Sequence, residues 1–181
     1  MRKYIRENVE KLKVTYLVTG PYSDLFFGKS PKPEAGSFDV KEKQATLVGS
    51  GEEKISFTTE KDVGRLLVAA LKTPAAEHER ILRVNSFTVT VKHVLAEFEK
   101  QTGAKWEVSY TPVEDLKNAE KEAWEKESPF ATLYTLRRIW IEGGTLYEQS
   151  DNGKIGFEDA ETVEEQVRKV IEKQTSPESK M

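Results

Sequence analysis

Residues 14–21, Val14-Thr-Tyr-Leu-Val-Thr-Gly-Pro21, decide how this chain is read. A β-branched and aromatic run that stops at Gly20-Pro21 predicts a strand ending in a turn. Immediately upstream, Ile5, Val9 and Leu12 recur at helical spacing with Arg6, Glu7, Glu10 and Lys11 between them, which predicts an amphipathic helix from Met1 to about Lys13. A helix feeding at once into an apolar strand is the second half of an α/β crossover unit, whose first strand is missing from this sequence. The strand at Val14–Thr19 is expected to pair on one side with Arg80–Asn85 and to leave its other edge open, which invites self-association.

Working outward, a Gly-, Ser- and Pro-rich loop spans Gly28 to Gly36, and short β runs follow at Phe38–Val40, Ala45–Val48 and Ile55–Thr58. Gly49-Ser-Gly51 lies between the last two runs. A phosphate-binding glycine loop must join a strand to a helix, so this one is predicted to be a hairpin turn. Thr59 with Asp62 opens a helix whose inward residues should be Val63, Leu66, Leu67, Ala70 and Leu71, with Pro74 as its stop. The helix marked by Val91, Val94, Leu95 and Phe98 ends at Gly103, and Trp106–Tyr110 alternates like a strand. Thr111-Pro-Val-Glu114 has the pattern of a reciprocal capping box with a first-turn Pro. Ser128-Pro129 opens a helix with Phe130, Leu133, Tyr134, Leu136, Ile139 and Trp140 on a wide apolar face, ended by Gly143-Gly144. A last helix starts at Thr162 with Glu165 three residues on, and buries Val163, Val167, Val170 and Ile171. One domain, residues 1–174, and a disordered tail, 175–181, are expected.

Composition closes off several functions. The 181 residues hold 28 Lys and Arg against 31 Asp and Glu, a net charge of -3 without a basic patch, which argues against nucleic acid as a partner. No Cys and two His leave no disulfide, no thiolate and no metal-ligand set. No apolar run approaches the ~20 residues that span a bilayer, and the charged amino end has no signal-peptide core, so the expected setting is cytoplasmic, without membrane contact. His93 and His78 carry no assigned role, and Glu52-Glu53 and Glu164-Glu165 read as solvated faces. The aromatic group Tyr22, Phe26, Phe27, Trp140 and Tyr147 reads either as core or as a ligand wall. Gly20-Pro21-Tyr22 follows the carboxyl end of an α/β strand, where open sheets bind ligands.

The order of landmarks resembles the carboxyl-terminal half of the NmrA-like and isoflavone-reductase-like family, the atypical short-chain dehydrogenases. The pieces that carry the likeness are IRENVE, VTYLVTGPYSD with a following FF, LVGSGEEKISFTTEKDVGRLLVAAL, and RILRVNSFTVTVKHVLAEFEKQTGAKWEVSYTPVEDL, in order over Ile5 to Leu116. The resemblance implies an α/β chain: the carboxyl-terminal part of a Rossmann-type fold, with a small mixed sheet, several helices and the amino-terminal Rossmann half absent. In such proteins that absent half binds NADP through a GxxGxxG loop, and the half seen here shapes the substrate pocket. On the resemblance, Thr19, Gly20, Pro21 and Tyr22 would line the nicotinamide end, with Phe26 and Trp140 as substrate-pocket walls. The reductases carry a catalytic Lys four residues before the Arg that Arg6 matches. Arg2 stands at that position, and Arg cannot shuttle a proton as Lys can, so no catalytic residue is assigned. Three readings remain open: the substrate-domain half of an NAD(P)-dependent oxidoreductase that binds no cofactor alone, acting on a small molecule; a non-catalytic regulatory module that meets a protein partner; or a truncated product without selected activity.

Overall fold

The structure, a computed structural model, describes residues 2–9 and 12–176 and, of Arg6, the backbone alone. Its strands are β1 (Val14–Val18), β2 (Ser37–Asp39), β3 (Gln44–Val48), β4 (Lys54–Phe57), β5 (Glu79–Arg83), β6 (Phe87–Thr90) and β7 (Glu107–Thr111). The helices are α1 (Arg2–Asn8), α2 (Ser23–Phe26), α3 (Glu60–Lys72), α4 (Val91–Thr102), α5 (Val113–Glu125), α6 (Ala131–Ile141) and α7 (Val163–Thr175). α1 is shorter than the predicted Met1–Lys13 span, of which Met1, Glu10 and Lys11 lie outside the described residues. α7 runs through Thr175, one residue into the predicted tail, and residues 177–181 of that tail also lie outside.

β1 pairs in parallel with β5, from Val14 opposite Glu79 to Val18 opposite Arg83, as the sequence predicts. Val14 N–H donates to His78 C=O at 2.8 Å and Val84 N–H to Val18 C=O at 2.9 Å. Bonds to one neighbour use alternate residues, so the backbone groups of Thr15 and Leu17 turn to the opposite edge, where no strand lies among the described residues.

The small mixed sheet of the expectation is three separate pieces. One is the parallel β1–β5 pair; the second has β3 at its centre, antiparallel to β2 and parallel to β7; in the third, β4 pairs antiparallel with β6. Gly49–Gly51 is therefore not a hairpin turn but the link between two sheets. Gly49 N–H reaches Thr111 C=O at 2.9 Å and Lys92 N–H reaches Gly51 C=O at 3.0 Å, which ties the link to β7 and α4. A Gly-rich pair of β runs looks the same in both cases, because a strand's partner is set by the rest of the chain.

Among the helix starts, Thr59 Oγ1 accepts Asp62 N–H at 3.1 Å, and Thr162 with Glu165 forms a full capping box. Thr111 does not cap α5. It is the last residue of β7, opposite Val48, and the helix begins only at Val113 after an N-cap Pro112 without a side-chain bond. Strand pairing takes the residue that the local pattern reserved for the cap.

The main core gathers Phe27, Phe38, Phe57, Phe98, Leu47 and Leu116 between the sheets and α4 to α7. A second, thinner core sets Leu66 and Ala70 of α3 against Leu82, Val84, Ile155 and Phe157. It accepts one stripe of α3, so Leu67 and Leu71, predicted to face inward, are exposed beside Val68, and Val63 is half-buried. One residue along a helix rotates a side chain by ~100°, off the contact line.

Candidate functional site

β1 ends at Val18, and Gly20, at φ 68°, turns the chain across its carboxyl end. A Cβ on Gly20 would lie 2.6 Å from the Ser56 C=O oxygen, so glycine is required for both the angle and the approach. Thr58, just past β4, fastens this turn. Its Oγ1 donates to Thr19 C=O at 2.5 Å, its N–H to Pro21 C=O at 3.0 Å, and its C=O accepts Ser23 N–H at 3.1 Å.

The turn forms one wall of a cleft of about 350 Å³, with Thr19, Gly20, Pro21 and Tyr22 on the rim and Leu25 and Phe26 of α2 below. Leu133, Leu136, Arg137 and Trp140 of α6 form the other wall. The fold thus brings all six sequence-nominated residues together across more than a hundred positions of chain. Phe26 is buried, with its ring centroid 5.8 Å from that of Trp140. Two members of the aromatic group lie elsewhere. Phe27 is buried in the main core, 5.0 Å from Phe57 between ring centroids, and the Tyr147 hydroxyl donates to Val18 C=O at 3.3 Å.

Arg137 is the residue that sequence reading passed over. Its guanidinium lies 3.6 Å from the Phe26 ring centroid and 5.9 Å from that of Trp140, and the residue is 3% exposed. Nη2 reaches Phe26 C=O at 3.4 Å, whereas Nε and Nη1 have no hydrogen-bond partner. No carboxylate pairs with Arg137 among the described residues. Burial pulls its pKa down to about 9, which leaves it a cation at neutral pH. A signal was present: Arg137 sits seven residues after Phe130, four after Leu133 and three before Trp140, on the apolar face itself.

The remaining candidates sit outside the cleft. His78 and His93 are exposed. Glu52 pairs with Lys92 at 2.9 Å, and Glu53 accepts Ser50 N–H at 3.1 Å, so both serve the link between sheets. Glu164 and Glu165 begin α7. The Arg2 guanidinium lies 4.4 Å from the Tyr16 ring centroid, and Lys3 is 3.9 Å from Glu7. No group of acids and histidines could hold a metal ion among the described residues, and no described helix is long and apolar enough to cross a membrane.

A dinucleotide needs free amides at the start of a helix that follows a strand. Those of α3 are occupied, Glu60 N–H by Asp24 Oδ2 at 2.8 Å and Asp62 N–H by Thr59, and the Asp24 charge would repel phosphate. α4 starts with Thr90 Oγ1 bonded to His93 N–H, and α5 starts after a Pro. The starts of α3, α4 and α5 therefore do not fit a pyrophosphate.

The model of the NmrA-like family matches residues 1–136. The chain belongs to the NmrA-like family. This NmrA-like chain is 28% identical over 120 residues to the oxidoreductase aprR of Aspergillus flavus, an overlap of 64% of this chain and 37% of that one. Among solved structures it is similar to isoflavone reductase, with a TM-score of 0.71 at 22% identity, covering 93% of this chain and 55% of that one. It is also similar to the leucoanthocyanidin reductase of Vitis vinifera in a complex with NADPH, with a TM-score of 0.61 at 16% identity, covering 94% of this chain and 57% of that one. The NmrA-like chain thus spans less than half the length of aprR and somewhat more than half of the two reductases.

Proposed function

We propose that this NmrA-like chain is the substrate-side half of an NAD(P)-dependent oxidoreductase, with residues 1–174 as one domain. In this reading Thr19, Gly20, Pro21 and Tyr22 face the nicotinamide end of a cofactor held mainly by another segment, and Phe26 and Trp140 are walls of the substrate pocket. The observation that carries it is the cleft itself: an apolar, aromatic-walled space at the carboxyl end of a parallel strand, where ligands bind in open α/β sheets. The reductase names of its relatives support the same reading. The cleft holds no carboxylate, imidazole or amine, so its own work is to bind a flat substrate, orient it against the rim and exclude water. A non-catalytic module that meets a protein partner is the second reading. It is favoured by Arg2, which stays protonated where the reductases that the chain resembles have Lys.

Two measurements test the proposal. The chain alone should show no micromolar binding of NADPH by calorimetry, and micromolar binding would overturn the division of labour. A neutral aromatic ketone, 2-acetylnaphthalene, should quench tryptophan emission in the wild type and much less in Trp140→Phe. Equal quenching in both would remove the cleft from the substrate path.

A further inference from the structure

The other buried charges among the described residues have ion-pair partners: Asp39 has Lys29, Asp62 has Arg65, Glu97 has Lys100, and Glu161 has Lys61 and Lys169. Asp62 accepts three hydrogen bonds, and Glu97 accepts from Lys100 at 3.0 Å and Gln101 at 2.7 Å. Arg137 is the exception. A guanidinium stacked on aromatic faces recovers part of its lost hydration, but its N–H hydrogens lie in its own plane and a ring face beneath it takes none of them. Nε and Nη1 are left as unused donors shut off from solvent, Nη1 lying 3.7 Å from where a Cβ on Gly36 would stand, while the residue as a whole lines an otherwise apolar cleft. An unpaired buried cation is destabilising, and replacing it with an apolar side chain of similar length should improve the fold. A fold retains such a group at a cost, and in a ligand-sized cleft the missing acceptor has a natural source.

We propose that the cleft recognises a planar aromatic carboxylate and that Arg137 is its anion anchor. This rests on the reading of the cleft as the substrate pocket. The ring system lies along Leu133, Leu136 and Trp140, and the carboxylate oxygens supply Nε and Nη1 with the acceptors that the protein does not. The guanidinium is already dehydrated, so the charge-assisted bonds form without a second desolvation of the protein. Because both donors are shut off from solvent, the guanidinium must rotate off the Phe26 ring toward the ligand for these bonds to form.

The test uses the full chain with naphthalene-2-carboxylate and its neutral amide, which share one ring system. By calorimetry the wild type should prefer the carboxylate by about tenfold or more. Arg137→Met should abolish that preference, and Arg137→Lys should restore part of it. The Nε–H resonance of Arg137 should shift with the carboxylate and not with the amide. Without ligand, Arg137→Met should melt no lower than the wild type; if it fails to fold, Arg137→Lys and the Nε–H resonance decide alone. Equal binding of the two ligands to the wild type, or a carboxylate preference that survives Arg137→Met, overturns the anchor and leaves the pocket reading standing. No binding of either ligand overturns both.

Discussion

Asp62→Ala should be among the most damaging single changes in this chain. The carboxylate is fully buried, and its Oδ2 accepts the Ser86 hydroxyl at 2.7 Å and Glu161 N–H at 2.8 Å. Oδ1 accepts Arg65 Nη1 at 2.8 Å, but that guanidinium is partly exposed and also donates to Asp159 C=O at 2.6 Å, so this end contributes little. The Ser86 oxygen is itself occupied by Thr59 N–H at 3.1 Å, so truncation leaves its hydroxyl hydrogen and the Glu161 amide without an acceptor. Each stranded buried donor costs ~1–3 kcal/mol, which sums to about 4 kcal/mol for the pair. Asp62→Asn can still turn an oxygen toward both donors and should cost about 1–2 kcal/mol, the difference between a charged and a neutral acceptor. Urea denaturation followed by circular dichroism, with slopes that stay constant across variants, reads both values. A shift below about 1 kcal/mol for Asp62→Ala would refute the idea that this carboxylate joins α3, the β5–β6 connection and the lead-in to α7.

Thr162→Ala removes half of a complete capping box and should cost about 1 kcal/mol, whereas Thr111→Ala, at a strand end, should cost less than half as much; equal melts would restore the sequence-based assignment of the cap. Burial alone would raise the pKa of Glu161, but Lys169 at 2.5 Å, the Thr59 hydroxyl and Lys61 at 3.0 Å pull it down to about 2 from 4.5. That contribution is fully present above about pH 4.5 and is lost as pH falls toward 2, so Glu161→Gln should flatten the acid limb of stability in that window; an unchanged limb in melts from pH 5 to 2 would reject the assignment. The open edge of β1, with Leu67, Val68 and Leu71 exposed on α3, should make the chain self-associate at micromolar concentration, and Thr15→Lys on that strand should shift light scattering toward the monomer; a clean wild-type monomer would contradict this.

The sequence by itself determined the elements whose signal is local. The β-branched run at Val14–Val18, the left-handed cap at Gly103 and the Thr162–Glu165 box are where the residues predict them, because propensity and capping act within one turn of chain. It also placed Gly20-Pro21-Tyr22 at the end of a parallel strand, a position that can be counted along the chain, whereas Thr19, Phe26 and Trp140 were nominated by the family resemblance. What only the tertiary structure decided is which local preference yields. Thr111 went to strand pairing instead of capping, Gly49–Gly51 became a link between sheets, and Leu67 and Leu71 were left outside a core too thin to take them. Arg137 shows the same limit most clearly. Its place on an apolar helix face is written in the sequence, but that no carboxylate pairs with it among the described residues depends on what α2 and α6 bring together in space, and no spacing along the chain records that.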